Sequence, residues 1–117
     1  MLRLAVLVSG GGTNLQALLD KMDLGKLPNV SIEVVVSSNK EAYAIERAIF
    51  HNIPWTVINK KEYETAELYE TAFTNLLESY KVDLIVLAGF LLILPKKVVR
   101  QFNNGIINVH PSLIPAF

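Results

Sequence analysis

LRLAVLVSGGGTNLQALLDKM, residues 2–22, decides how the rest of the chain is read. Leu2 to Val8 is apolar except for Arg3, the pattern of a strand covered on both faces in a parallel sheet rather than one with a wet side. The run breaks at Ser9 into three glycines, and the periodicity then changes at once. Leu15, Leu18, Leu19 and Met22 fall at i, i+3, i+4 and i+7, a helical stripe that fades at Gly25 and Pro28. Strand, glycine loop and helix in that order open a βαβ unit.

Working outward, the same alternation continues. Val30 to Val36 reads as a second strand, and Ala42, Ile45 and Ile49 mark one face of a second helix. Pro54 opens a short third strand ending at Ile58. Ala66, Tyr69, Phe73, Leu76, Leu77 and Tyr80 keep a helical stripe over about four turns. Asp83 to Ala88 is the fourth strand, Pro95 suits the first turn of a short helix ending near Phe102, and Gly105 to Val109 reads as a buried fifth strand. Strands alternating with helices imply right-handed crossovers and an α/β fold with an open, mostly parallel, doubly wound sheet of Rossmann-like form. Ligands of such sheets sit beyond the carboxyl ends of the strands, where the strand order reverses. Those ends are Ser9, Ser37, Asn59, Gly89 and His110.

The bulk numbers narrow the class. A chain of 117 residues fits one core, and area scaling lets it bury roughly two thirds of its unfolded surface. Lys+Arg and Asp+Glu balance at 11 each, so there is no electrostatic footprint for nucleic acid or an anionic membrane, and a small ligand is the expected partner. Without cysteine there is neither a disulfide framework nor a thiolate metal site; no metal is expected, and the cytoplasm is the default compartment. The apolar start breaks too early to read as a secretory leader. The run from Leu84 to Leu94, interrupted by Gly89, is far short of the roughly 20 residues a membrane helix needs.

SGGGTN, residues 9–14, can turn backbone N–H groups toward one point, and the helix behind it adds partial positive charge, so the loop suits an anion such as phosphate. It lacks the lysine of GxxxxGK[ST], and Leu15 stands where GxGxxG needs its third glycine. The second strand ends in Ser37 and Ser38 rather than an acid for a ribose hydroxyl. A monophosphate therefore fits better than a dinucleotide. The plainer alternative is a tight turn in which Thr13 and Gln16 form a T-x-x-Q capping box.

Asn108 and His110 stand two apart on the fifth strand, so they share a face with Ile106. An amide can donate to a developing oxyanion, and an imidazole can move a proton near neutral pH, a pairing that suits acyl-type transfer to an amine. Ordinary hydrogen bonds to loop backbone are the alternative. His51 reads as a residue capping the C-terminus of the second helix. Lys60, Lys61 and Glu62 read as a solvated loop and helix start, Trp55 and Tyr43 as core or rim residues, and Asp83 as the edge of a strand.

SGGGTNLQALLD, SSNKEAYAIERA, LAGFLLILP and INVHPSLIP, taken in order and spacing, resemble phosphoribosylglycinamide formyltransferases along all 117 residues. The resemblance implies that Gly12, Thr13 and Asn14 hold the phosphate of glycinamide ribonucleotide. It implies that Asn108 stabilises a tetrahedral oxyanion, that His110 assists proton transfer, and that Phe90, Leu91, Leu92, Ile93 and Leu94, with Asn108, line the pocket of the co-substrate 10-formyltetrahydrofolate. Many members carry an arginine where this chain has Leu92, and the arginine for the folate tail is replaced by Ala66.

On the same resemblance, residues 1–117 form the N-terminal, phosphate-binding part of a single formyltransferase domain truncated at its C-terminus, with the catalytic aspartate and most of the folate pocket beyond Phe117. Such a chain is expected to be inactive alone, and an unpaired fifth strand favours self-association or disorder of the last residues. Relatives in function, a 10-formyltetrahydrofolate deformylase or a methionyl-tRNA formyltransferase, share the Asn-x-His arrangement; the neutral charge argues against tRNA. A non-catalytic phosphate-binding module is the reading from outside the enzymes.

Overall fold

The computed structural model describes residues 1–92 and 94–109; two residues named above, Ile93 and His110, lie outside the described residues. The elements are β1 (Leu2–Val8), α1 (Thr13–Asp23), β2 (Val30–Ser37), α2 (Ala44–Phe50), β3 (Trp55–Val57), α3 (Ala66–Ser79), β4 (Leu84–Leu87), α4 (Lys96–Gln101) and β5 (Ile106–Asn108). A single 3-10 turn, Lys60–Glu62, follows β3 and is capped by the Asn59 side chain, which accepts from the Lys61 N–H.

The strands form one sheet in the order β3-β2-β1-β4-β5, parallel at every described pairing. β1 is central, and the order reverses between β1 and β4, which places the crevice for a ligand above Ser9 and Gly89. Alternation along β1 explains its apolar run. Leu4, Val6 and Val8 pack with Leu15 and Leu19 of α1 and Ala44 and Ala48 of α2. Ala5 and Leu7 pack with Tyr69, Phe73 and Leu77 of α3 and Val98 of α4 on the other side. Both faces are covered, as the sequence of β1 requires.

At the amino ends of the strands, Arg3 ties the layers together. Its guanidinium donates to the carbonyls of Tyr80 and Lys81 at the end of α3 and pairs with Glu33 at 2.9 Å, where β2 carries a register shift against β1. Asp83 accepts from the Arg3 N–H at 3.0 Å, so it does mark the start of a strand.

Two sequence expectations are corrected. In α2 the buried side is Ala44, Ile45 and Ala48, whereas Ile49 is 47% exposed. The seven-residue helix packs through Ala44, Ile45 and Ala48, and Ile49 falls on its outer side. β5, read as buried, is an edge strand: Ile107 is 48% exposed and Asn108 is exposed. Among the described residues it pairs with β4, and the Gly105 carbonyl and the Val109 N–H bond to that strand at its two ends. By alternation, the N–H and C=O groups of Ile106 and Asn108 face away from β4.

Candidate functional site

The glycine loop is held from one side. The Gly10 carbonyl accepts from the Ala44 N–H at 3.1 Å, the Gly11 carbonyl from Arg47 Nε at 2.8 Å, and the Gly12 carbonyl from the Gln16 N–H at 2.8 Å. Gly12 caps α1 in the left-handed region, at φ 79° and ψ 27°. Among the described residues, the N–H groups of Gly11, Gly12, Thr13 and Asn14 have no acceptor. Four backbone donors without acceptors among the described residues, at the N-terminus of a three-turn helix, can hold an anion.

The capping-box expectation for Thr13 and Gln16 does not hold. Gly12, not Thr13, is the cap residue, and α1 makes no side-chain cap bond. Gln16 is drawn elsewhere: its Nε2 donates to Asp20 at 2.9 Å, and its Oε1 accepts from Arg47 at 3.1 Å. Since no side chain occupies the orphan N–H groups of the first turn, they are left for a ligand.

Asn14 is buried, and its Nδ2 donates to the Val109 carbonyl at 3.4 Å. Its side chain therefore joins the start of α1 to the end of β5, and its backbone N–H has no acceptor among the described residues. Asn108 lies opposite Leu87 at the carboxyl end of β5, exposed, with no hydrogen bond from its amide among the described residues. The fold thus brings Gly12, Thr13, Asn14 and Asn108 to the same end of the sheet. How His110 joins them lies outside the described residues.

The loop after β4 supplies the apolar wall. Gly89 turns it through φ 77°. Phe90 and Leu94 are half-buried against the α3 and α4 layer, while Leu91 is 83% exposed and Leu92 projects in part. The loop thus presents half-buried and exposed apolar side chains together, and the place of Ile93 lies outside the described residues.

Ser9 connects this loop to the others. Its Oγ accepts from the Leu91 N–H at 2.9 Å and lies 2.6 Å from Ser38 Oγ. Ser38 is buried, so its hydroxyl must be the donor; otherwise its proton would lack an acceptor. One hydroxyl thereby links the ends of β1, β2 and β4. Sequence reading placed Ser9 at a strand end without a role and missed Arg47, whose only signal was its place one turn after Ala44.

Outside the crevice, His51 is the C-terminal cap residue of α2, as expected. Tyr43 and Trp55 are rim residues, and Arg47 stacks over the Tyr43 ring at 5.0 Å. Tyr69 is buried with its hydroxyl unpartnered among the described residues; burial, and then the nearby Tyr63, push its ionisation above the ordinary tyrosine value of 10.0.

An open, doubly wound α/β sheet whose glycine loop and amide-bearing strand end lie at the reversal of strand order defines a class of fold that receives ligands at that point. Within that class the chain belongs to the formyl transferase family, whose model matches residues 2–117.

Phosphoribosylglycinamide formyltransferase of Haemophilus influenzae is 40% identical over the whole chain, which spans 55% of that protein. The trifunctional purine biosynthetic protein adenosine-3 of Bos taurus is 43% identical over 98% of the chain, which spans 11% of it. The crystal structure of glycinamide ribonucleotide transformylase 1 from Geobacillus kaustophilus superposes with a TM-score of 0.89 at 37% identity, covering all of this chain and 62% of that one. The chain thus spans a little over half of its single-activity relatives.

Proposed function

We propose that residues 1–117 are the N-terminal, phosphate-binding part of a formyltransferase domain that transfers a formyl group from 10-formyltetrahydrofolate to the amine of glycinamide ribonucleotide in purine biosynthesis. The observation that supports the reading is the presence, at the carboxyl end of the sheet, of loop N–H groups and an Asn108 amide that have no partner among the described residues. Gly12, Thr13 and Asn14 would hold the substrate's phosphate through backbone N–H groups. Phe90, Leu91, Leu92, Ile93 and Leu94 would flank the folate, which supplies the formyl carbon. In the transfer the amine nitrogen bonds to that carbon, the carbon's bond to the donor nitrogen breaks, and a proton passes from the amine to the nitrogen released. Asn108 would donate to the oxygen that gains charge, and His110 would carry the proton.

A cytoplasmic location belongs to the same proposal. So does self-association through the open edge of β5, which sedimentation would reveal.

The test titrates glycinamide ribonucleotide into the isotope-labelled chain and assays formyl transfer with and without the C-terminal portion of a relative. Saturable amide shifts at Gly11 to Asn14, and turnover once the second portion is added, are expected. Shifts elsewhere, or none, would reject the phosphate assignment. Binding without turnover under any condition would leave a non-catalytic phosphate-binding module.

A further inference from the structure

A trans peptide sets the carbonyl of one residue and the N–H of the next on opposite sides of the chain. In the glycine loop this turns two hydrogen bonds into a statement about direction. The Gly10 carbonyl is held by the Ala44 N–H, so the Gly11 N–H points away from α2. The Gly11 carbonyl is held by Arg47 Nε, so the Gly12 N–H points away from α2 as well. Glycine itself has no preference between these peptide orientations and their reverse, because it lacks the Cβ that would decide. The direction of the donors is therefore imposed from outside the loop.

Of the two clamps, the one from Ala44 is backbone, present with any residue there, and the other is a single side chain. Arg47 is itself anchored, since its Nη1 donates to Gln16 Oε1 at 3.1 Å and its guanidinium lies over the Tyr43 ring. It is half-buried, and its Cδ would lie 3.2 Å from a Cβ on Gly12, so it packs directly against the loop. The bond to Gln16 also withdraws from the first turn of α1 one of the two side chains that the sequence pattern offered as a capping box.

We propose that Arg47 is the positioning residue of the phosphate loop: by holding the Gly11 carbonyl and Gln16, it keeps the Gly12 N–H and the first-turn donors of α1 aimed at the anion without touching the anion itself. This inference rests on the phosphate reading above. Losing the clamp lets the Gly11–Gly12 peptide sample both orientations, so the free loop must be reordered whenever an anion binds. The affinity falls by that ordering cost, while the donors stay chemically intact.

The test titrates inorganic phosphate into the labelled protein and into Arg47→Met and Arg47→Lys, following the amides of Gly11, Gly12, Thr13 and Asn14. Arg47→Met keeps the packing stem but neither donor nor charge, and is expected to weaken phosphate about tenfold, the scale of one charge-assisted hydrogen bond. Arg47→Lys keeps the charge without the fork that reaches Gly11 and Gln16 together, and is expected to recover only part of the loss. The residual dipolar coupling of the Gly12 N–H in the phosphate-free protein should shrink in both variants, which general loss of stability would not single out.

Equal phosphate affinity in wild type and Arg47→Met, or full recovery in Arg47→Lys, overturns the inference while leaving the phosphate site intact. Absence of saturable shifts in the wild-type loop overturns the phosphate reading instead. Should Arg47→Met not fold, the Arg47→Lys affinity and the Gly12 coupling decide alone: both unchanged from wild type rejects the proposal.

Discussion

Replacing Gly12 with alanine sets two penalties on one methyl group. The residue sits at φ 79°, where a Cβ costs about 1–2 kcal/mol. The same Cβ would lie 2.7 Å from Ala44 Cβ and 2.8 Å from Ala44 Cα, and the second of these is backbone that cannot turn aside. Forcing α2 outward to make room is an overpacking cost of about 1–3 kcal/mol. Together Gly12→Ala should destabilise by about 2–5 kcal/mol.

Gly11 is the internal control, because a Cβ there meets nothing within 4 Å and its φ is not in the left-handed region. Gly11→Ala should stay within about 0.5 kcal/mol of wild type. The structure also names the partner: adding Ala44→Gly to Gly12→Ala removes the Cβ that collides and should return part of the loss, even though Ala44→Gly alone costs up to about 1 kcal/mol in a helix. Urea unfolding of the wild type, the three single variants and the double variant, followed by circular dichroism, measures all of these. If Gly12→Ala unfolds at the wild-type midpoint, or if Gly11→Ala is equally damaging, the claim that α2 approaches the loop through Gly12 is wrong. The resemblance gave Gly12 a place beside the phosphate; the geometry adds that a side chain there would collide with a neighbouring helix.

In the enzyme assembled with the C-terminal portion of a relative, Asn108→Ala should lower kcat by at least about a hundredfold, the scale of a lost oxyanion donor, and a near-normal rate would remove it from the mechanism. Ser9→Ala frees the Leu91 N–H, so hydrogen exchange at Leu91 should accelerate and KM for the formyl donor should rise more than kcat falls; unchanged exchange at Leu91 would refute the link. Tyr69→Phe removes a buried hydroxyl with no partner among the described residues and should be neutral or stabilising by up to about 1 kcal/mol. Because the folded state raises the ionisation of Tyr69 above 10.0, its contribution is complete below the unfolded value and is lost as pH climbs through the folded one. Wild type should therefore lose more stability than Tyr69→Phe as pH rises above about 10, and parallel melting curves in that range would contradict the burial argument.

The order of strands and helices could be read from residues near in sequence because the signals are local. The apolar run of β1 demands two covered faces, the stripes of α1 and α3 demand one, and Ser9 to Asn14 can only be a loop. The anion-suited loop and the shared strand end of Asn108 followed from the same periodicities.

What local pattern could not show is which of several acceptors a side chain takes. Gln16 was available as a cap, yet it serves Arg47 from 31 residues away. Asn14 could have faced a ligand, yet its amide meets a carbonyl 95 residues away. Ser9 joins a loop 82 residues away. Ile49 and Ile107 carry the same apolar signature as buried neighbours and are left outside, one on the outer side of a short helix and the other on a strand at the edge of the described sheet. Each of these outcomes depends on where a second layer or a neighbouring strand end lies in space. Hydrogen-bond choice and burial are decided by distances that exist only once the layers have packed.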